Sequence, residues 1–238
     1  MRLRNHFLLL NIACILCIPA LSQVIEKGGA SNAYPSTKAP SINIVAKKEA
    51  GIEYYPFNRV LMYAEALRLY AKSNDYNTQY AFIINMGMRS SVKRFFVVDL
   101  KNNCIVKSGL VAHGKGEEQF TMDRKYSNDA GSNCTSLGKY KIGKAYKGFF
   151  GLSYKMHGLE KSNSKAYDRN VVLHAMHCIP DKENGRPICQ SEGCPSVSDN
   201  FLLDLKKIID GSKKPILLWI YDSTQPVAKA SAKKNKKS

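Results

Sequence analysis

The sequence is poor in acidic residues and, after its N-terminal segment, has no apolar run long enough to cross a bilayer. Only 19 Asp and Glu residues oppose 36 Lys and Arg residues, so the formal net charge is +17. A protein with this charge should be drawn to polyanions. A membrane-spanning helix needs about 20 consecutive apolar residues, and this requirement excludes a transmembrane segment in the rest of the chain.

A CxxC pair is also missing among the cysteines that follow the N-terminal segment, and the spacing of these cysteines and the histidines fits no familiar closed zinc site. Of 7 cysteines, Cys14 and Cys17 lie in the N-terminal segment. The others form an odd set, so at least one thiol stays outside intramolecular disulfides unless it pairs between chains or binds a metal. That set is Cys104, Cys134, Cys178, Cys189 and Cys194.

Residues 1–22 have the pattern of a bacterial secretory signal peptide. Two arginines precede an apolar stretch that ends near Pro19, and Ala20 and Ser22 have the spacing that a signal peptidase recognises. A retained anchor is the alternative, but the apolar stretch is short and contains Asn11. We therefore predict an exported protein, periplasmic or secreted, without a transmembrane segment after cleavage.

The next three segments differ in composition and periodicity. Residues 23–50 are rich in Ser, Ala, Pro, Lys and Gly, which predicts a flexible leader. Residues 51–76 carry an apolar stripe at helical spacing, which predicts a short helical N-terminal extension. Residues 77–223 contain β-rich runs separated by glycines, and a second helix with Ser198 as N-cap and Gly211 at its end. This pattern predicts a mainly β domain with a few helices.

Residues 224–238 form a lysine-rich end without acidic residues, which predicts a disordered basic tail. One interpretation is a solvated tail without a dedicated target. The other is attraction to anionic polymers of the cell envelope. Export argues against nucleic acid as a partner.

The stretch QSEGCPSVSDNF places Cys194 in a tight Gly-Cys-Pro turn just before the second helix. His174 ends an apolar strand upstream and could act as the base that turns the thiol into a nucleophile. The backbone N–H groups of Gly193 and Cys194 could stabilise an oxyanion. From these residues alone, three alternatives stay open for Cys194: half of a disulfide, a buried inert cysteine, or a zinc ligand.

The two stretches VVLHA and SEGCPSV together resemble the signature of the L,D-transpeptidase catalytic-domain family of bacterial cell-wall enzymes. The proline after the cysteine is typical of the murein branch of that family. Other stretches that match the branch occur in its order between Ser90 and Tyr221: SSVKRFFVVDL, GLVAHGKG, YSND, TSLGKYKIGKAYKG, GLSYKMHGLE and LLWIY. The resemblance implies an L,D-transpeptidase-like β-sandwich with a few helices over residues 77–223, preceded by the helical extension.

The resemblance also implies roles for individual residues. Cys194 would be the acylated nucleophile and His174 its base, held by a backbone carbonyl rather than by a carboxylate. Ser191 and Gly193 would shape the loop around the oxyanion. No metal or other cofactor is implied.

Two further residues, His113 and Ser136, match positions of the family pattern and are expected to line the cleft. A structural hydrogen bond is the alternative for His113, and a turn position is the alternative for Ser136. The chain departs from the pattern at Ala175, Gln190 and Glu192. These departures bear on substrate preference more than on the nucleophile.

We therefore predict an exported cysteine L,D-transpeptidase that acts on peptidoglycan stem peptides through a Cys194 thioester. An acceptor amine would give a cross-link, and water would give L,D-carboxypeptidase activity. The alternative is a catalytically impaired, cell-wall-binding envelope protein on the same fold.

The four remaining cysteines suggest two disulfides in an exported protein. Cys178 and Cys189 flank the loop between His174 and Cys194, and a bridge between them would leave Cys104 to pair with Cys134. The alternative is that all four are reduced and buried.

Overall fold

A computed structural model describes residues 55–117 and 124–225. The predicted signal peptide at 1–22 and the predicted leader at 23–50 lie outside the described residues, as does the basic tail from residue 226 onward. Neither helix of the described part is long and apolar enough to cross a membrane.

Two helices and eight strands make up the described part. In chain order they are α1 (Tyr55–Ser73), β1 (Tyr80–Asn85), β2 (Phe95–Asp99), β3 (Cys104–Gly109), β4 (Gly138–Gly148), β5 (Gly151–Gly158), β6 (Val172–Ala175), β7 (Ser196–Val197), α2 (Asp199–Asp210) and β8 (Leu217–Tyr221). A short 3₁₀ turn at Lys161–Asn163 follows β5.

All eight strands join one mixed sheet in the order β3-β2-β1-β8-β4-β5-β6-β7. The pairs β1–β8 and β6–β7 are parallel, and the other pairs are antiparallel. The two ends of the sheet meet through a bridge between Val111 and Val197, and the Ala112 N–H donates to the Ser196 carbonyl at 2.8 Å. The mainly β fold class is confirmed, and the strands of the expected sandwich form one continuous sheet.

Helix α1 covers one face of this sheet. Its buried residues Val60, Ala64, Leu67 and Ala71 recur at helical spacing and form one apolar stripe. The stripe packs on residues of β1, β2 and β8, among them Ile83, Phe96 and Leu217.

Helix α2 packs on the other face, which encloses the main core. The Ser198 hydroxyl accepts a hydrogen bond from the Phe201 N–H, and Gly211 caps the C-terminus, as the sequence predicts. Phe201, Leu202 and Leu205 are buried on α2. They join a core that contains residues of β1, β2, β4, β5, β6, β7 and β8.

Candidate active site

One cavity of about 650 Å³ contains both His174 and Cys194 in its wall. Arg169, Phe150 and Ser191 also line it. The structure therefore brings together the two residues that the sequence predicts as base and nucleophile.

The parallel pairing of β6 with β7 explains why these residues meet. His174 lies opposite Ser196 in this ladder. Cys194 stands two residues before Ser196, beside Val172 of β6, and the Val172 N–H donates to Sγ at 3.4 Å. Short parallel strands thus hold the turn that carries Cys194 against the strand that carries His174.

The His174 ring is buried, with 1% of the residue exposed. Nδ1 lies 2.9 Å from the Ala175 carbonyl, and Nε2 lies 2.9 Å from the Ser196 hydroxyl. A carbonyl can only accept, so Nδ1 carries the proton and Nε2 accepts from Ser196. A backbone carbonyl orients the ring, as the family resemblance implies. Among the described hydrogen bonds, none joins His174 to the Cys194 sulfur.

Burial sets the protonation of both groups. Burial raises the pKa of the Cys194 thiol, and the Val172 N–H and the Arg169 charge oppose this effect only in part. Burial lowers the pKa of His174, against a smaller upward effect of the Ala175 hydrogen bond. At neutral pH the pair is therefore a thiol beside a neutral imidazole, which is free to accept a proton.

A compact loop before Cys194 depends on Ser191 and Gly193. The Ser191 hydroxyl donates to the Cys194 carbonyl at 2.6 Å and accepts from the Gly193 N–H at 3.2 Å. Gly193 has φ +112°, and a Cβ there would lie 2.9 Å from the Cys134 carbonyl oxygen. Only glycine fits this position without strain.

The sequence analysis expects the Gly193 N–H to stabilise an oxyanion, but in the structure this group bonds within its own loop. This group points at Ser191 and is not presented to the cavity as an oxyanion donor. The Cys194 N–H has no acceptor among the described residues, so it is the donor that remains for an oxyanion.

Neither His113 nor Ser136, which the sequence predicts as cleft-lining residues, is among the residues that line this cavity. Ser136 is buried in the turn before β4, where its hydroxyl lies 2.6 Å from the Tyr140 hydroxyl. It therefore fixes that turn instead of facing the cleft.

His113 lies one layer behind the cavity. Its Nδ1 is 3.0 Å from Arg94 Nη2, and its Nε2 is 3.2 Å from the Gln190 amide. Burial, together with the charges of Arg94 and Arg124, lowers the pKa of His113 to about 4. His113 is thus a neutral structural link between buried Arg94 and Gln190, which does line the cavity.

Arg169 is a cavity residue that sequence reasoning missed. Its guanidinium donates to the Ser127 carbonyl at 2.9 Å and to the Cys134 carbonyl at 2.8 Å. Among the described residues it has no carboxylate partner, so its positive charge is available to anions in the cavity. The cavity forms through long-range contacts, which a sequence does not reveal. The only signal in the sequence is that Arg169 lies just before β6, the strand that carries His174.

The β4–β5 hairpin supplies an aromatic wall that sequence reasoning also missed. The Phe150 ring stacks on the His174 ring with centroids 4.2 Å apart. Phe149 beside it is 98% exposed. The Gly-Phe-Phe-Gly tip thus covers one side of the proposed base.

A disulfide joins Cys178 to Cys189 with Cα atoms 6.2 Å apart, as the sequence predicts. Cys189 lines the cavity, so the bridge ties the loop after β6 to the cavity wall. The structure does not form the predicted Cys104–Cys134 bridge, since Cys134 belongs to no disulfide. Cys104 begins β3, the strand at one end of the sheet, whereas Cys134 is buried in the loop before β4, near Gly116.

We expect the denatured, unreduced mature protein to contain at most three titratable thiols. The Cys178–Cys189 bridge removes two of the five cysteines that follow the signal peptide. Its closed loop should stabilise the fold by about 2–3 kcal/mol in the chain-entropy model. Thiol titration in denaturant checks the count. Five thiols would reject the bridge, and one would require a second bridge.

The described residues contain no group of three or more His, Cys, Asp and Glu side chains placed to hold a metal ion. Among the residues that could have joined Cys194 in a zinc site, Cys178 and Cys189 are bonded to each other. A third, His177, points at Asp199, with Nδ1 2.6 Å from the carboxylate.

Comparison with known proteins gives one family. A family model described as the L,D-transpeptidase catalytic domain matches residues 57–221. No curated protein matches the chain. Among solved structures, 13 chains match. One is a mutant of the helical cell shape determining protein Pgp2 from Campylobacter jejuni, with 11% identity and a TM-score of 0.38. That alignment covers 71% of this chain and 56% of the other, so this chain spans little over half the length of that protein.

Proposed function

This chain belongs to the L,D-transpeptidase catalytic-domain family, and we propose that it is an exported cysteine L,D-transpeptidase acting on peptidoglycan stem peptides. The observation that carries the proposal is the cavity shared by Cys194 and a neutral, buried His174. The pattern of residues 1–22 supports the export part of the proposal.

The proposed reaction begins with proton transfer from the Cys194 thiol to His174 Nε2. In the resting structure Nε2 accepts from Ser196, so the thiol must replace that hydroxyl as the donor. The thiolate then attacks the carbonyl of the L-centre in an L–D peptide bond. The Cys194 N–H donates to the oxyanion.

Collapse of this intermediate leaves a thioester on Cys194. The leaving D-amino acid takes the proton from His174 as its amine departs. An acceptor amine then attacks the thioester to form a cross-link, with His174 as base, or water attacks to give a carboxylate. Arg169 supports the anionic states of these steps, because it lines the cavity and has no carboxylate partner in the described part of the chain.

Incubation of the mature protein with purified disaccharide-tetrapeptides tests the proposal. Mass spectrometry should show muropeptides that have lost the terminal D-amino acid, either cross-linked to a second stem or hydrolysed. Unchanged muropeptides after prolonged incubation with acylation-competent protein would contradict it.

We expect the acylation rate to stay constant as the pH falls from neutral and to decrease only below pH 6.5. The pKa of His174 is lowered from its ordinary value, so the imidazole stays neutral, and active as a base, until the pH falls past that lowered pKa. Because burial raises the pKa of the Cys194 thiol, the thiol ionises only at alkaline pH. The acylation rate should therefore increase a second time in that range. Adduct formation with a thiol-directed acyl donor, followed by intact mass from pH 5 to 10, checks both limbs. An acid limb centred above pH 7 would contradict this assignment.

One observation favours a second candidate, a catalytically impaired wall-binding protein on this fold. Both ring nitrogens of His174 bond groups other than Cys194. In that case a thiol-directed probe would react equally fast with the wild type and with His174→Ala. The transpeptidase proposal requires a slower reaction in the variant at neutral pH.

A further inference from the structure

A second cavity of about 870 Å³ lies between β4, β5 and the segment that joins α2 to β8. We call it the basic groove, because five lysines line it and Asp210 is the only acid among the described residues of its wall. The lysines are Lys141, Lys144, Lys155, Lys213 and Lys214.

The single acid does not neutralise these lysines. The Asp210 carboxylate pairs with Lys206, one turn earlier on α2, and accepts a hydrogen bond from the Tyr154 hydroxyl at 2.9 Å. Lys214 pairs with Asp75. Lys141, Lys144 and Lys213 have no carboxylate partner among the described residues. The groove therefore keeps a net positive charge that an anion could compensate.

Aromatic rings lie among the lysines of the groove. Tyr146 and Tyr167 are partly exposed, and Lys155 Nζ lies 5.2 Å and 5.4 Å from their ring centroids. The His157 ring stacks on Tyr167 with centroids 4.8 Å apart. Such rings offer flat apolar faces next to cationic groups, a surface suited to a ligand that has both sugar rings and negative charges.

The basic groove adjoins the candidate active site. In the β5–β6 ladder, Lys155 pairs with Val172 and Ser153 pairs with His174, so Lys155 and His174 lie on the same face of the sheet. Lys155 Nζ donates to the Asn170 side-chain oxygen at 2.8 Å. Asn170 lines the active cavity. The two cavities therefore neighbour each other on one face of the sheet, so a polymer that extends from one toward the other does not have to cross the sheet.

We propose that the basic groove is a second binding site, which holds a carboxylate-bearing saccharide–peptide strand of peptidoglycan beside the reacting stem. The lysines pair with stem carboxylates, and Tyr146 and Tyr167 contact the sugar or peptide faces. This inference rests on the proposed function and adds the part of the substrate that lies outside the active cavity.

Co-sedimentation of the mature protein with insoluble peptidoglycan tests the inference. The double variant Lys144→Glu, Lys213→Glu should bind about tenfold more weakly, because each exposed ion pair is worth up to about fivefold and each change reverses a charge. The matched control is Lys72→Glu, Lys101→Glu, which alters the net charge equally at exposed positions outside the groove. It should bind within about twofold of the wild type, as expected for surface substitutions away from a site.

A chemical control identifies the ligand group. Peptidoglycan whose stem carboxylates have been converted to amides should bind the wild type as weakly as untreated peptidoglycan binds the groove variant. Equal binding by the groove and control variants, or binding that amidation does not change, would overturn the proposal.

Reaction with a soluble disaccharide-tetrapeptide separates this inference from the proposed function. The groove variant should keep the wild-type rate on this small donor, because Lys144 and Lys213 do not line the active cavity. A wild type that binds peptidoglycan through the groove but never reacts with the soluble donor would contradict the transpeptidase proposal alone. A groove variant that loses the small-donor reaction to the same extent as peptidoglycan binding would reject a separate site.

Discussion

Replacing Cys194 with Ser should abolish thioester formation and lower cross-linking by at least about three orders of magnitude. A serine hydroxyl ionises far less readily than a thiol, and a neutral His174 must already work against the raised pKa of the thiol. The fold should persist, because among the described residues Sγ makes only two weak hydrogen bonds: it accepts from the Val172 N–H at 3.4 Å and donates to the Asn170 carbonyl at 3.8 Å. We expect the free energy of unfolding to change by less than about 1 kcal/mol.

Intact-protein mass spectrometry with a carbapenem measures this loss, since the family resemblance implies acylation of the nucleophile by carbapenems. The wild type should carry one adduct, on Cys194, and Cys194→Ser should carry none. Cys134→Ser is the matched control, because that thiol is buried and lies outside the active cavity. An adduct of undiminished yield on Cys194→Ser would remove Cys194 from the mechanism.

Replacing His174 with Ala should slow acylation at neutral pH by about 10²–10⁴-fold, the usual effect of losing a general base. The loss should shrink at alkaline pH, where Cys194 ionises without help from a base; because burial raises the pKa of this thiol, that range lies above the ordinary range for a cysteine. His177→Ala is the matched control, since the His177 side chain is 95% exposed and pairs with Asp199. It should keep the wild-type rate.

A buried ring cannot be removed without structural cost, so a second variant is needed. In His174→Ala, the Ser196 hydroxyl and the Ala175 carbonyl lose their partners and Phe150 loses the ring on which it stacks. His174→Gln can still donate to a carbonyl but cannot act as a base at neutral pH. Thermal melts should show whether this variant is folded. A folded His174→Gln protein with the wild-type acylation rate at pH 7 would exclude His174 as the base.

Much of this protein follows from local patterns in its sequence. The apolar stripe of α1, the Ser198 cap of α2 and the β-rich runs each depend on neighbouring residues, so periodicity and capping chemistry predict them. The family signature around His174 and Cys194 predicted that these two residues work together. The sequence also limited the disulfides, because an odd number of cysteines leaves at least one unpaired within the chain.

The sequence could not determine which groups face the cavity. Ser136 turns inward to Tyr140, and the Gly193 N–H turns into its own loop, because the backbone conformation of each turn sets these directions. Arg169 reaches the cavity through hydrogen bonds to carbonyls 35 and 42 residues away in the chain. Contacts between residues so far apart in the chain produce no periodic pattern in the sequence, so the sequence does not predict them.

Local patterns thus determined the mainly β class, the two helices and the two residues that the family signature pairs. Only the tertiary structure decided that β6 and β7 run parallel, that the ends of the sheet meet at Val111 and Val197, and that the basic groove adjoins the active cavity. The physical reason lies in the order of the strands. The residues of a strand predict that it is extended and partly buried, whereas the strands that pair with it depend on the packing of the whole chain around one core.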